Sequence, residues 1–361
     1  MLQESQVGGK LCRRLRDAAQ DIEDLGIGLP RVGLAGDGER ARQAKRLGAA
    51  RAGFLGDQQG VLPAREVDVH VGQQLGVKQR AVQGAEPVHL GVHLVGLHRR
   101  LVEALLAAGR IAPLIVVMPD MWTRFGGSQY VNSAGMGRYE DYLIQEVIPL
   151  VDRNYRTLPH RDHRAVIGRS SGGFGAITQA MHHPEVFGAF ACHSGDLYWE
   201  YTCLPGLSRM HQQLAPYGSL DEFIARIPDI RPKNSAFWEL IMTVCWAAAF
   251  GGNPGQPRGF DLPIDPDTGA LNEAVWRRWL AHDPIRKLDV PACADALRQM
   301  RLAYVDVGIY DEYQLQVGAR LLHRKLEALG IPHVYEEYPD GHRHTDYRYA
   351  HSLERLSKAL Q

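Results

Sequence analysis

The first 121 residues of this 361-residue chain almost lack aromatic side chains: of 9 Phe, 6 Trp and 14 Tyr, only Phe54 precedes Trp122. Aromatic rings dominate the area that cores bury, so a segment without them lacks its most effective core-building groups. Stretches such as GVKQRAVQGAEPVHLGVHLVGLHRR sustain neither a period of 2 nor one of 3.6. Residues 1–97 are therefore read as an atypical segment, with disorder, an unusual domain or translation outside the true reading frame as the open alternatives.

Cysteine is also scarce. Cys12, Cys192, Cys203, Cys245 and Cys293 are odd in number, irregularly spaced and without a CxxC pair, which argues against a disulfide framework or a zinc site and for buried, reduced thiols. There is no excess of either charge, with Lys+Arg 41 against Asp+Glu 41, and no basic run able to track a phosphate backbone, so nucleic acid is not an expected partner. No run approaches the roughly 20 apolar residues of a membrane span, and MLQESQVGGKLCRRLRD contains no signal-like apolar stretch. The expected location is the cytoplasm, with no membrane contact. A hydrophobic content of 45% in 361 residues is ample for a large core.

From about residue 99 the pattern becomes regular. LVEALLAAG carries an apolar stripe at helical spacing closed by Gly109. Strands are then expected at 112–120, 164–168, 187–195, 301–308 and 333–339, where short apolar runs are rich in β-branched residues. Helices are expected at 138–155, after residue 170 up to Pro184, at 311–329 and at about 346–360. This alternation predicts an α/β fold with a mostly parallel sheet covered by helices on both faces. Between the third and fourth of these strands, residues about 198–296 are too long for a loop. They are expected to form a largely helical, cap-like insertion, carrying five of the six tryptophans, whose rings would either pack a core or meet an aromatic ligand.

The segment GRSSGG, 168–173, sits between the apolar run RAVI and an amphipathic helix. A nucleophile elbow needs a strand, a strained turn with the serine at φ > 0 and small residues two before and two after it. Ser170 is flanked in this way by Gly168 and Gly172, whereas Ser171 would have Arg169 at its first flank. Ser170 is therefore the candidate nucleophile. Ser171 is then the candidate oxyanion donor through its backbone N–H, at a helix start whose dipole favours negative charge.

A serine hydroxyl needs an imidazole to take its proton, and the imidazole needs a carboxylate to hold its tautomer. In a parallel sheet these groups come from the C-terminal ends of strands. DVGIYDEY offers Asp306 and Asp311; Asp306 lies within the expected strand, so Asp311, at the start of the next helix, is the better acid, and it could also cap that helix. YPDGHRHTDY offers His342, presented by Gly341, and His344, expected to face solvent or support its neighbour. Asp196 in HSGD is a reserve acid, and His182, His183 and His193 suit helix ends or the core. Although His342, His344 and Asp346 alternate, three donors within five residues and no fourth elsewhere make a poor metal site; neither metal nor cofactor is expected. The order Ser170, Asp311, His342 is that of α/β-hydrolases.

From about residue 99 onward the chain resembles the esterase D-like esterase family, relatives of S-formylglutathione hydrolase, enterochelin esterase, feruloyl esterases and mycolyltransferases. The resemblance rests on IVVMPD, GGSQYVNSAGMGRYEDYL, YRTL, IGRSSGGFGA, HPEVFGAFACHSGD, DVGIYDEY and YPDGHRHTDYRY. It implies an α/β-hydrolase fold and a triad carried over to Ser170, Asp311 and His342, and it suggests Trp122 and Gln129 as lining for the acyl or alcohol pocket. The expected activity is serine carboxylesterase, hydrolysing small acyl or aryl esters through an acyl-enzyme. Acyl transfer or peptide hydrolysis on the same triad is a second reading, and a non-catalytic or defective hydrolase-like protein a third. Relatives carry N-terminal strands ending in a glycine-containing loop that supplies a second oxyanion N–H, and residues 1–97 offer no recognisable counterpart.

Overall fold

The computed structural model describes residues 99–265 and 268–361 together with the backbone of Val67–Val71. The expectation of an atypical segment over residues 1–97 otherwise lies outside the described residues. Among the described residues there are six strands of five or more residues: β1 (Val67–Val71), β2 (Ile115–Pro119), β3 (Ala165–Arg169), β4 (Ala189–His193), β5 (Leu302–Gly308) and β6 (Val334–Tyr338). Strands β6, β5, β4 and β3 lie side by side in that order and are all parallel. Their register sets Arg169 opposite His193, His193 opposite Asp306, and Tyr338 opposite Gly308. The C-terminal ends thus form one edge, where a parallel sheet gathers its functional groups.

β2 departs from the expected pattern. It pairs antiparallel with β1, Val67 opposite Pro119 and Val71 opposite Ile115, and with no other strand among the described residues. Apolar periodicity marks a strand but carries no information on its direction or partner.

Helices follow each strand. α1 covers residues 99–107, and α2 runs from Tyr139–Asp141 through a π-helical turn, Tyr142–Val147, into Ile148–Asn154. α3 (Ser171–His182) follows β3, and the long connection after β4 contains α4 (Leu204–Leu214), α5 (Ser235–Phe250), α6 (Glu273–Leu280) and α7 (Pro291–Arg298). α8 (Leu315–Ala328) follows β5 and α9 (Arg348–Ala359) follows β6.

The two-residue period of the strands sorts their side chains between two layers. Phe190 and Cys192 of β4 and Ala303 and Val305 of β5 pack with Ile177 of α3, Leu297 of α7 and Leu322 of α8. Their alternates, Ala189, Ala191 and Tyr304, pack with Leu356 of α9. The sheet is therefore covered on both faces, which is why its strands read as continuous apolar runs.

A further apolar cluster lies within the long connection. Trp199, Trp246, Trp276 and Trp279 are buried there with Phe223, Phe237 and Phe250, and only Trp238 of the five tryptophans is largely exposed. Core packing thus accounts for four of the rings. Phe174 of α3 joins this cluster, its ring 5.7 Å from Trp199 and 5.6 Å from Phe250. Each fully buried Phe contributes about 1.5–3 kcal/mol, so Phe174 fixes the helix after Ser170 against the connection as Ile177 fixes it against the sheet.

Candidate active site

Ser170 stands between β3 and α3 with φ 59° and ψ −125°. This backbone is costly for a residue with a Cβ, and such strain persists only where the surroundings enforce it. Here Ser170 N–H donates to the His193 carbonyl at 2.9 Å, and the Ser170 carbonyl accepts from Phe174 N–H at 3.0 Å. Gly168 makes the turn possible: a Cβ there would lie 2.4 Å from the Gly172 carbonyl carbon and oxygen. Ser171 is the first residue of α3, so its N–H belongs to the helix start, where backbone donors are free of intrahelical partners.

Asp311 and His342 come from the loops after β5 and β6. Asp311 Oδ2 lies 2.8 Å from His342 Nδ1, and Asp311 Oδ1 accepts the Tyr313 N–H at 2.9 Å. Asp311 is buried, at 1% exposure. It does not begin a helix: residues 311–314 form a turn, α8 starts at Leu315, and Gln314 occupies the capping position with φ 61°. The expected role of Asp311 as a helix cap is thereby corrected, because the chain must turn before α8 can pack on the sheet.

The His342 loop is held from two sides by residues that sequence reasoning missed. His342 N–H donates to Glu312 Oε2 at 2.7 Å, a bond that lowers the Glu312 pKa. Arg169, adjacent to Ser170, donates from Nη1 to Asp346 Oδ1 at 3.1 Å and to Thr345 Oγ1 at 3.3 Å. The elbow and the histidine loop are thus linked through Arg169. Its signal in the sequence was its place beside the candidate serine; its partners, some 177 residues away, gave none. His342, His344 and Asp346 diverge in their partners: His342 faces Asp311, Asp346 pairs with Arg169, and His344 is exposed with φ 62°.

Asp196 is 8% exposed. Burial pushes its pKa up to about 6, with the Asp311 charge adding to the rise and His342 opposing it. Gln129 is buried at φ 53°; its Nε2 donates to Cys245 Sγ at 3.3 Å while Oε1 has no partner among the described residues. Trp122 lies in a short hairpin, Trp122–Thr123 against Gly126–Gly127, its residue surface largely exposed and its carbonyl accepting from Tyr139 Oη at 2.9 Å. Beyond Gln129 comes Tyr130, also at positive φ, whose ring lies along α3.

A second Ser/His/Asp arrangement is sealed beneath the sheet edge. His193 Nδ1 lies 2.7 Å from Asp306 Oδ1 and Nε2 lies 2.9 Å from Ser352 Oγ. Asp306 also accepts from Arg348 Nε and Tyr304 Oη, each at 2.9 Å. His182 and His183, at the end of α3, both contact Glu140.

Residues 97–358 match the protein family described as "Putative esterase". Two Mycobacterium tuberculosis proteins, Esterase Rv1288 and Esterase MT1326, are each 38% identical over 239 residues, which is 66% of this chain and 43% of theirs. The chain therefore spans less than half the length of these curated relatives. An endo-1,4-beta-xylanase/feruloyl esterase of Xylanibacter ruminicola is 34% identical over 101 residues, 27% of this chain and 14% of that one. Among solved structures, an S-formylglutathione hydrolase from Agrobacterium tumefaciens aligns with a TM-score of 0.44 and 15% identity, over 77% of this chain and 82% of that one.

Proposed function

Because the chain belongs to the esterase family that its residues 97–358 match, we propose that it is a serine carboxylesterase acting on small acyl or aryl esters. The observation that carries the reading is the strained elbow at Ser170, φ 59°, tied through Arg169 to the loop that bears His342. Ser170 Oγ attacks the ester carbonyl carbon, and His342 takes the hydroxyl proton. With Nδ1 directed at Asp311, the other ring nitrogen of His342 is the one left to act as base. Asp311 holds that tautomer and stabilises the imidazolium. The Ser171 N–H donates a hydrogen bond to the carbonyl oxygen as it becomes an oxyanion. His342 then returns the proton to the leaving alkoxide. Water next attacks the acyl carbon, giving a proton to His342, which passes it to Ser170 Oγ as the acyl–oxygen bond breaks and the carboxylic acid leaves.

The proposed organisation is a hydrolase domain over residues 98–361 with the helical connection at about 198–296 lying within it. No described helix is long and apolar enough to cross a membrane. A cytoplasmic setting suits the four described cysteines, all of which are free.

The test is p-nitrophenol release from short-chain p-nitrophenyl esters by the full chain, Ser170→Ala and Ser171→Ala. Turnover abolished by Ser170→Ala and retained by Ser171→Ala is the expected result, since alanine at 171 keeps the N–H. A folded parent that releases no p-nitrophenol would overturn the esterase reading.

A further inference from the structure

An oxyanion hole normally offers two donors, and α3 supplies one backbone N–H at Ser171. The geometry points to the Tyr130 hydroxyl as the second donor, an assignment that rests on the serine-esterase reading of Ser170. The contacts of Tyr130 follow a single face of α3. Its carbonyl accepts from Gln179 Nε2 at 2.8 Å. Four residues earlier, about one turn, its ring lies over Gly175, where an added Cβ would fall 2.4 Å from Cδ2 and 2.6 Å from Cγ. Its hydroxyl reaches Gly172, 3.4 Å from where a Cβ would stand. Positions 172, 175 and 179 share one side of a helix, so the side chain runs along the helix toward its N-terminus and brings the phenol oxygen to the turn that begins with Ser171.

The backbone is committed to this pose. Gln129 and Tyr130 both adopt positive φ, 53° and 59°, in a run where Tyr130 N–H donates to Ser128 Oγ. Gly175 leaves the helix face open for the ring. The hydroxyl makes no hydrogen bond to any described residue and is not among the sealed, partnerless polar atoms, so its O–H remains available to an incoming group. Burial, reinforced by the Asp196 and Cys245 charges, pushes the phenol up to about 12, which keeps the proton on the oxygen at ordinary working pH. No proton is transferred: the O–H bond of Tyr130 stays intact and only its dipole stabilises the oxyanion.

Tyr130→Phe retains the ring over Gly175 and removes the hydroxyl alone. Loss of one oxyanion donor typically costs about a hundredfold to a thousandfold in kcat. The expected result for Tyr130→Phe is therefore a fall in kcat on p-nitrophenyl acetate of at least about tenfold, with KM within about threefold of the parent's. Phenylboronic acid, whose tetrahedral adduct on Ser170 mimics the oxyanion, should lose affinity in parallel, a change that mere loosening of the fold would not track. A smaller fall in kcat, or unchanged boronate affinity, in a variant whose parent is active and whose Ser170→Ala form is dead would overturn the Tyr130 assignment and leave the esterase reading standing. An inert parent would overturn both.

Discussion

His193 Nδ1 lies 2.7 Å from Asp306 Oδ1, a histidine–carboxylate pair as close as that of His342 and Asp311. With Ser352 Oγ 2.9 Å from Nε2 it has the connectivity of a catalytic triad. Position separates the two. His193 and Asp306 point to the face of the sheet that α9 covers, and Ser352, His193 and Asp306 are 0%, 2% and 0% exposed. No ester can reach a hydroxyl enclosed in this way, and the Ser352 oxygen also contacts the Tyr349 carbonyl. The inner set holds α9 to the sheet. Ser352→Ala should therefore keep esterase turnover within about twofold while lowering stability by about 1 kcal/mol, whereas Ser170→Ala should lower turnover at least about a thousandfold. Labelling by a fluorophosphonate gives an independent reading: the probe should mark Ser352→Ala and spare Ser170→Ala. The reverse pattern would move the nucleophile to the wrong side of the sheet.

Asp311→Asn separates geometry from charge. The amide oxygen can still accept the Tyr313 N–H now bound by Oδ1, so the turn is retained. Its NH2 group cannot accept a proton from His342 Nδ1, and the imidazole is driven to the tautomer that has no free lone pair for the serine. A fall in kcat of about 10²–10⁴ with KM little changed is expected. Steady-state kinetics beside a thermal unfolding scan would check it; near-parent kcat would remove Asp311 from the proposed machinery.

Most of the sheet and one half of the candidate site were legible along the chain, for different physical reasons. Strands β3 to β6 announce themselves as apolar runs because both of their faces are covered. The elbow was legible because the glycines that permit it, Gly168 and Gly172, must sit at fixed offsets from Ser170. The pairing of β2 was not legible, since hydrogen-bond partners in a sheet leave no mark on periodicity. Nor were the bonds of Arg169 and Glu312 to the His342 loop, which join residues far apart in sequence. Asp311 was preferred to Asp306 because a carboxylate inside a central strand has its oxygens claimed by neighbouring strands and helices, and it is Asp311 that lies beside His342. Its placement at a helix start failed because a run of polar residues after a strand reads equally as first turn or as loop.

Glu140 makes stability depend on pH from two directions. Burial works against its charge, but hydrogen bonds from His182 and His183 hold its pKa down to about 2, below the ordinary 4.5. The Glu140 hydrogen bond, against some opposition from burial, raises His183 above 6.5. A depressed carboxylate stabilises the fold above its unfolded pKa and loses that contribution as pH falls through the folded value; a raised histidine stabilises below its unfolded pKa and loses that as pH rises through its folded value. Both contributions are present between about pH 4.5 and 6.5. Glu140→Gln should cost on the order of 2 kcal/mol in that window, with a smaller deficit at pH 8 and at pH 3. Urea unfolding of parent and variant at the three pH values tests this, and a deficit independent of pH would mean that the histidines do not pair with Glu140 in solution.

Asp196 should act in the opposite sense. The residue is 8% exposed, and burial raises its pKa to about 6 from an ordinary 3.8, Asp311 adding to the rise and His342 opposing it. The folded protein then holds the Asp196 proton more tightly than the unfolded chain does. Between about pH 3.8 and 6 the folded state binds more protons, so stability falls as pH rises through that interval. Above it the full cost of a buried carboxylate remains, on the order of 1–3 kcal/mol. Asp196→Asn preserves the side chain's size and removes the ionisation. Unfolding of parent and variant in urea should therefore give similar stabilities at pH 4 and a more stable variant at pH 8, the difference opening across the interval in which Asp196 ionises. A variant equally or less stable at pH 8 would show that His342 compensates the charge of Asp196 in full, and the carboxylate would then belong with the charged machinery of the site.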